Sequence, residues 1–378
     1  MDGPTLTVDL AALRHNLALL RAHTGAAVAL LAAVKADAYG HGLEVVAAEL
    51  ERAGVDAFGV ATADEALTLR RLGLGARILL FGPVRTSVAE LVAAEVELTV
   101  TDAASLAAIE AARPAARARV HLKLDTGMGR LGRPAEEAVA LARAIERSRW
   151  SELAALWTHL ACADEPHADA PDGSTTRALE RFDAALDAVA RAGITVPLAH
   201  AANSAATLRL PQAHYGMVRP GIALYGHSAT PAAARVLGAG AERLRPAATL
   251  QAPVTFVKRV RAGTPVSYGE TWHAPHDTVI ATVRLGYADG YPRAAGNVAS
   301  AQLHGHEVPV AGRVCMDQLM LDVGALGDGV APGDVVTFHG PEGPSTAELA
   351  ARLGTISYEL LTRSSAPRVA RRYLGASG

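Results

Sequence analysis

From residue 9 to about residue 226, short unbroken apolar runs alternate with longer stretches whose apolar positions recur every three or four residues. A strand covered on both faces has no polar side and reads as such a run, whereas an outer helix shows one apolar stripe. The runs are AVALLAAVKA near Lys35, AFGVAT near Phe58, RILLFG at residues 77–82, VELTVT near Leu98, RVHLKLDT near Lys123, LAALWTHLA near Thr158, LAHAANS at residues 198–204 and MVRPGIALYG at residues 217–226. Between them lie helical patterns such as GLEVVAAELERAG, ADEALTLRRLG and PAEEAVALARAIERS, the last with Pro134 at the first-turn position that proline favours. Eight strand-then-helix repeats predict an α/β fold of the (β/α)8 TIM-barrel type. A doubly wound open sheet would show the same alternation and is the alternative.

After residue 226 the texture changes to a proline, glycine and alanine connection, HSATPAAARVLGAGAERLRP, followed from Ala247 by short β runs such as ATLQAPVTFVKRV, DTVIATVRLGY, AQLHGHEVPVAGRV and DVVTFHG. The expected organisation is a barrel over residues 9–235 and a mostly β C-terminal domain over residues 236–378 together with residues 1–8. The helical piece TAELAARLGTISYELLTRSS is expected to end the fold.

A chain of 378 residues with half its residues hydrophobic has ample core for both units. A net charge of −2 provides no field for nucleic acid or an anionic membrane surface. No apolar run approaches a membrane span and the start, MDGPTLTVDL, has no secretory pattern, which points to the cytoplasm. Two cysteines, Cys162 and Cys315, are too few for a disulfide framework and lack zinc-site spacing. No metal site is expected. His304 and His306 would share one strand face, and His273 and His276 are similarly paired, but no ligating partners accompany them. The string GMGRLG at residues 127–132 fits the dinucleotide pattern G-x-G-x-x-G, yet it follows the fifth strand run rather than the first.

Of the 36 cationic residues only Lys35, Lys123 and Lys258 are lysine; the other 33 are arginine. Barrel sites form at the carboxyl ends of the strands, where Lys35 stands. An amine forms a Schiff base and a guanidinium does not, so Lys35 is the candidate nucleophile; a lysine snorkelling from a strand end is the competing reading. Ser204, opening a helix after the seventh run, and Gly221 with Ile222, inside the eighth, sit where barrel enzymes hold phosphate. Together with Arg219 they point to pyridoxal phosphate, whose ring nitrogen needs a protein partner. Lys258 is expected to face solvent from a strand.

At VKADAYGHG, HLKLDTGMGRLG, ANSAAT, VRPGIALYG, VSYGETW, RLGYADGYPR and GRVCMDQ, in that order over residues 34–318, the chain resembles the bacterial alanine racemases. The resemblance implies a pyridoxal 5'-phosphate enzyme that interconverts L-alanine and D-alanine, provides D-alanine for peptidoglycan, and works as a homodimer with shared sites. It implies Lys35 as the Schiff-base lysine and Tyr268 as the opposing catalytic tyrosine contributed to the partner's site. Tyr39, Ser204, Gly221, Ile222 and Tyr358 match phosphate-binding positions, and Arg219 matches the arginine facing the ring nitrogen, with His159 behind it. Arg130 and Met316 match substrate-binding positions, Arg130 the arginine near the cofactor's phenolic oxygen and Met316 the residue whose backbone NH receives the substrate carboxylate. Lys123 matches a lysine that is carbamylated in many members; the alternative is an ammonium paired with Asp125. Asp37, where many relatives have Asn, is expected to make no contact that matters. A broader amino acid racemase acting on serine, a decarboxylase, and a non-catalytic carrier of the cofactor are the competing functions. Arg219 argues against the decarboxylase, and the β domain with Tyr268 against the carrier.

Overall fold

The computed structural model describes residues 2–228, 236–237 and 243–375. Two compact units result: Arg14–Ala38 with Gly42–Leu244, and Met1–Leu13 with Tyr39–His41 and Arg245–Gly378. Residue 235, at the expected domain boundary, lies outside the described residues.

The first strand, β1 (Thr5–Asp9), belongs to the second of these units. In the barrel unit all eight expected runs form strands: β2 (Ala29–Ala33), β3 (Ala57–Val60), β4 (Arg77–Leu80), β5 (Val96–Val100) and β6 (Ala118–Asp125), then, after a two-residue strand β7 (Arg133–Pro134), β8 (Ser151–Trp157), β9 (Ala199–His200) and β10 (Met217–Val218). Neighbours pair in the order β10-β2-β3-β4-β5-β6-β8-β9, every pair parallel. Between β9 and β10, Gly216 N donates to Ala199 O at 3.2 Å and Arg219 N to Ala202 O at 2.9 Å. The sheet is therefore a nearly closed barrel and not an open one.

Strand alternation divides the barrel interior into two halves. Leu31, Ala57, Leu79 and Met217 form a buried apolar cluster. Register places Glu97 beside Leu79, His121 beside Thr99, Trp157 beside Lys123 and His200 beside Trp157. These polar groups continue the ring of inward positions, and Glu97, His121, Lys123 and His200 are all buried.

Outer elements follow local chemistry. Helix Ala63–Arg71 starts at a capping box in which Thr62 accepts from Glu65 N and Glu65 reaches back to the cap. Pro134 does not occupy the first turn of its helix: it belongs to β7 and precedes a 3-10 turn, and the helix begins at Ala138.

In the second unit the long strand β11 (Ala248–Val260) is the spine. β12 (Pro265–Val266) and β13 (Trp272–His273) form a small ribbon, followed by β14 (Thr278–Val283), the hairpin β15 (Ser300–Leu303) and β16 (His306–Pro309), β17 (Leu319–Asp322), β18 (Val335–His339) and β19 (Ala370–Leu374). β11 pairs antiparallel with β1, β14 and β18. Lys258 is exposed on β11, as expected. Two expectations need correction. The helices Thr346–Leu353 and Ser357–Arg363 do not end the fold, because β19 follows and pairs parallel with β1. His304 does not share a strand face with His306: it lies in the hairpin turn at φ 51°, before β16 begins.

Candidate active site

Lys35 follows β2, and the chain then makes a left-handed turn in which Ala36, Asp37, Ala38 and Tyr39 all have φ of 53–54°. Each costs an L-residue roughly 1–2 kcal/mol, so the turn needs specific support. Glu65 Oε1 accepts from Ala36 N at 2.7 Å, and Asp37 accepts from Leu43 N through Oδ1 at 2.7 Å and from Gly42 N through its carbonyl at 2.9 Å. Asp37 is thus not contact-free; it ties the turn to the helix Leu43–Arg52. An asparagine oxygen could accept the same bond from Leu43 N. Beyond the turn, Tyr39 belongs to the second unit, where its ring lies 6.0 Å from that of Tyr358. Burial, reinforced by Tyr358, raises its phenol above the usual range.

Cations dominate the barrel end of the site. Burial first, then Arg130 and Arg219, lower the Lys35 amine, with Glu65 opposing them. Lys123 is pushed down to about 7 by burial and by Arg219 and Arg130, against the pull of Asp125. Its Nζ lies 4.6 Å from the centre of the Trp157 ring and donates to Leu124 O at 3.3 Å. The expected alternative of a Lys123–Asp125 pair is not built, because Asp125 accepts from Gly127, Met128 and Gly129 amides at 2.8–3.1 Å. Those amides outweigh the upward push of partial burial and hold its carboxyl below the usual range. The same contacts dispose of the dinucleotide reading, since the amides of the GMGRLG loop are already turned onto a side chain. Arg130, in that loop, is exposed.

Arg219, at the end of β10, is buried and firmly held. Nη2 donates to Thr158 O at 2.8 Å and Ala201 O at 2.9 Å, and Nη1 lies 2.8 Å from His200 Nδ1. Burial brings it down to about 9, still protonated at neutral pH. His159 Nδ1 is 3.4 Å from Arg219 Nη2, and burial, then Arg219, holds that imidazole neutral. A cavity of about 120 Å³ opens beside it, lined by Thr126, Cys162, Arg177 and Arg181 among others.

The same unit holds an anion cradle. Asn203 caps the short helix Ser204–Arg209 by accepting from Ala206 N at 3.1 Å. Ser204 Oγ accepts from Gly221 N at 2.8 Å and from Ala223 N at 3.3 Å, and Ile222 is fully buried between them in sequence. A hydroxyl and adjacent amides at a helix start form the donor set that a phosphate monoester takes. An amine held toward its neutral form, a permanent guanidinium and this cradle fit pyridoxal phosphate. Among the described residues no cluster of His, Cys, Asp and Glu converges as a metal site.

In the second unit Tyr268 starts a 3-10 turn and is 72% exposed, and Met316 is 53% exposed. Their backbones are tied together, because Ser267 Oγ donates to Arg313 O at 2.7 Å and lies 3.5 Å from Cys315 Sγ. Residues 286–289 clamp the same loop from behind: Tyr287 N donates to Cys315 O and Ala288 N to Met316 O, both at 3.0 Å. Position 286 must be glycine, since a Cβ there would sit 2.1 Å from Met316 O.

Several participants escaped the sequence reading. Glu65, His121, His200, Glu97, Trp157, Asp289 and Arg368 were not singled out, although a polar residue at every second position of RVHLKLD was a legible signal of a lined interior. Asp289, buried, meets Arg284 Nη1 at 3.3 Å and Arg368 Nε at 3.2 Å, while Arg368 Nη1 reaches Asp317 at 2.7 Å.

The family model described as alanine racemase, N-terminal domain, matches residues 8–229, and that described as alanine racemase, C-terminal domain, matches residues 247–373. A protein named alanine racemase from Salinispora arenicola is 44% identical over 97% of this chain and 97% of its own length. One from Chlorobaculum tepidum is 43% identical over 95% and 94%. Among solved structures, alanine racemase from D-cycloserine-producing Streptomyces lavendulae superposes with a TM-score of 0.92 at 35% identity, covering 100% of this chain and 98% of that one. That from Streptomyces coelicolor A3(2) gives 0.91 at 38% identity, covering 99% and 98%.

Proposed function

The chain belongs to the alanine racemase family, and from that premise we propose that it interconverts L-alanine and D-alanine with pyridoxal 5'-phosphate held in the barrel mouth. The observation that carries the reading is the Lys35 amine, held toward its neutral form by burial beside Arg130 and Arg219, in a unit that also holds the Ser204–Gly221 cradle. When bound, pyridoxal phosphate withdraws electrons from the substrate α carbon and makes its hydrogen acidic. The barrel, residues 9–235, holds the cofactor, and residues 236–378 with 1–8 contribute Tyr268 and Met316 to a partner's site.

Inversion removes a proton from one face of the α carbon and returns one to the other, so two acid/base groups must stand on opposite sides. Lys35 is one of them, and its depressed amine is more often free of its proton at neutral pH than that of an ordinary lysine, which leaves it available as a base. Tyr268 of the partner subunit is the other. Exposure of Tyr268 and Met316 on a single chain supports a homodimer in which each completes its partner's site. The Met316 backbone amide would hold the substrate carboxylate, with Arg130 near the cofactor's phenolic oxygen. Ser204, Gly221, Ile222, Tyr39 and Tyr358 hold the phosphate. Arg219, with His159 behind it, would hold the ring nitrogen, and because a guanidinium does not release its proton it would act there only as a donor.

Lys123 is carbamylated on this reading. The free amine, which a group near 7 supplies, would add to dissolved carbon dioxide and release a proton to water, and the resulting carbamate anion would accept from Arg130 where an ammonium would repel it. No helix among the described residues is long and apolar enough to cross a membrane. The cytoplasm, where D-alanine feeds peptidoglycan, is the setting we assign.

Purified protein should be yellow, should take up label on Lys35 after borohydride reduction, and should interconvert the alanine enantiomers faster than those of serine. Tyr268→Phe should impair the two directions unequally in solvent isotope exchange. A colourless protein that binds no pyridoxal phosphate would defeat the reading.

A further inference from the structure

An unbroken line of hydrogen bonds runs from Arg219 into the barrel wall. Arg219 Nη1 lies 2.8 Å from His200 Nδ1, His200 Nε2 lies 2.9 Å from His121 Nδ1, and His121 Nε2 lies 2.8 Å from Glu97 Oε2. All four side chains are buried, both imidazoles completely. At the far end Glu97 accepts from Arg77 Nε and Nη2 at 3.0 and 2.9 Å and from Arg119 Nε at 3.0 Å. On β8, Ala155 stands opposite His121, and its small side chain leaves the gap that the two rings bridge.

The direction of every proton in the line is determined. A guanidinium has no acceptor, so His200 Nδ1 must accept and the His200 proton must sit on Nε2. His121 Nδ1 must accept that proton's bond, which puts the His121 proton on Nε2, where it donates to a carboxylate that only accepts. Neither ring can gain a second proton without turning two donors on each other. The charged neighbours agree: Arg219, Arg77 and Lys123 face His200, while Arg77 and Arg119 oppose the pull of Glu97 on His121, and burial disfavours the cationic form of both.

We propose that Glu97 and His121 are positioning residues for the reaction, fixing the Nε2–H tautomer of His200 so that an acceptor always faces Arg219 and holds its guanidinium in place. With the other tautomer, two N–H groups would confront each other across 2.8 Å and Arg219 would be displaced. The inference rests on Arg219 acting as proposed above.

Histidine-selective ¹⁵N NMR of the purified protein tests it without any turnover. His121 and His200 should each show a single neutral Nε2–H tautomer from about pH 6 to pH 9. His121→Phe, which removes both ring nitrogens, should leave the His200 Nε2–H without an acceptor and only Arg219 opposing the Nδ1–H form, so that both tautomers appear, and should lower kcat roughly tenfold, the worth of one charge-assisted hydrogen bond, with KM for alanine changed less than about threefold. His121→Asn, whose amide oxygen sits where Nδ1 was, should restore the His200 tautomer and most of kcat. The proposal is overturned if native His200 carries its proton on Nδ1 or carries two protons, or if His121→Phe keeps both tautomer and kcat. Should His121→Phe not fold, the native spectrum and His121→Asn decide. Absence of racemase activity in the native protein would sink the functional reading, whereas the tautomers are read independently of it.

Discussion

The indole of Trp157 stacks on the imidazole of His200, with ring centroids 5.3 Å apart and planes 14° from parallel. The same indole lies against Lys123 Nζ at 4.6 Å and Arg219 Cζ at 4.9 Å from its centre. In a site crowded with positive charge, its π face is an uncharged surface on which the Arg219 guanidinium rests. Its Nε1 has no hydrogen-bond partner among the described residues.

That arrangement separates the ring from its polar handle. Trp157→Phe keeps a π face and removes the unpartnered donor, so it should cost less than about 2 kcal/mol in urea unfolding. Trp157→Leu keeps bulk but loses the face and should cost on the order of 1–2 kcal/mol more. Equal stability of the two variants would show that the cation contacts contribute nothing.

Glu65 raises the Lys35 amine while Arg130 and Arg219 lower it. Glu65→Gln removes the negative charge that favours the ammonium, so the pH midpoint for capture of pyridoxal phosphate by the cofactor-free protein should move down. The amide oxygen that this substitution introduces can still accept from Ala36 N, which keeps the left-handed turn. Absorbance followed against pH gives the midpoint, and an upward move would refute the assignment.

Burial holds His121, His159 and His200 below the ordinary imidazole range, and His227 at about 4. Their folded values are depressed, so below about pH 6.5 the unfolded chain binds protons that the folded one refuses. Stability should therefore be full above that pH and should fall as pH drops, by on the order of 1 kcal/mol per histidine at pH 5.5. Urea midpoints at pH 7.5, 6.5 and 5.5 check this; a flat profile would mean that these rings protonate in place.

Arg368 bridges buried Asp289 and Asp317, the residue after Met316. Arg368→Gln should loosen the Met316 loop and raise KM for alanine by roughly 3- to 10-fold, the loss of one charge-assisted contact. Cofactor affinity should change less than KM, because Ser204 and Gly221 lie in the other unit and only Tyr39 and Tyr358 of the phosphate-binding set share the unit of Arg368. Loss of cofactor binding would instead indicate general unfolding.

The barrel was legible because most of its strands read as short apolar runs, and Lys35 and Ser204 were legible because they end such runs, with Arg219 inside the eighth. What the sequence hid were relationships across strands. Nothing local joins Glu97 to His121 or His200; only register brings them onto one inward face. Pro134 misled because a strand pair with Asp125 outweighed its preference for a first turn, and His304 because a Gly305 turn ended the strand that its alternation had implied. Asp37 seemed idle in sequence because its partners, Leu43 and Gly42, become neighbours only once the chain turns left-handed.

Asp125 gives the barrel mouth a polarity of its own. By turning its carboxylate onto the amides of residues 127–129 it acts as a built-in ligand for one glycine-rich loop, while the amides beside Ser204 are answered only by a neutral hydroxyl. Two loops that could each attract a phosphate are made unequal: one is already occupied by an anion of the chain and repels a second, the other still gains by exchanging a weak acceptor for a strong one. A ligand with a single phosphate is then drawn to the loop beside Ser204 and away from residues 127–129 before any contact with its far end is made.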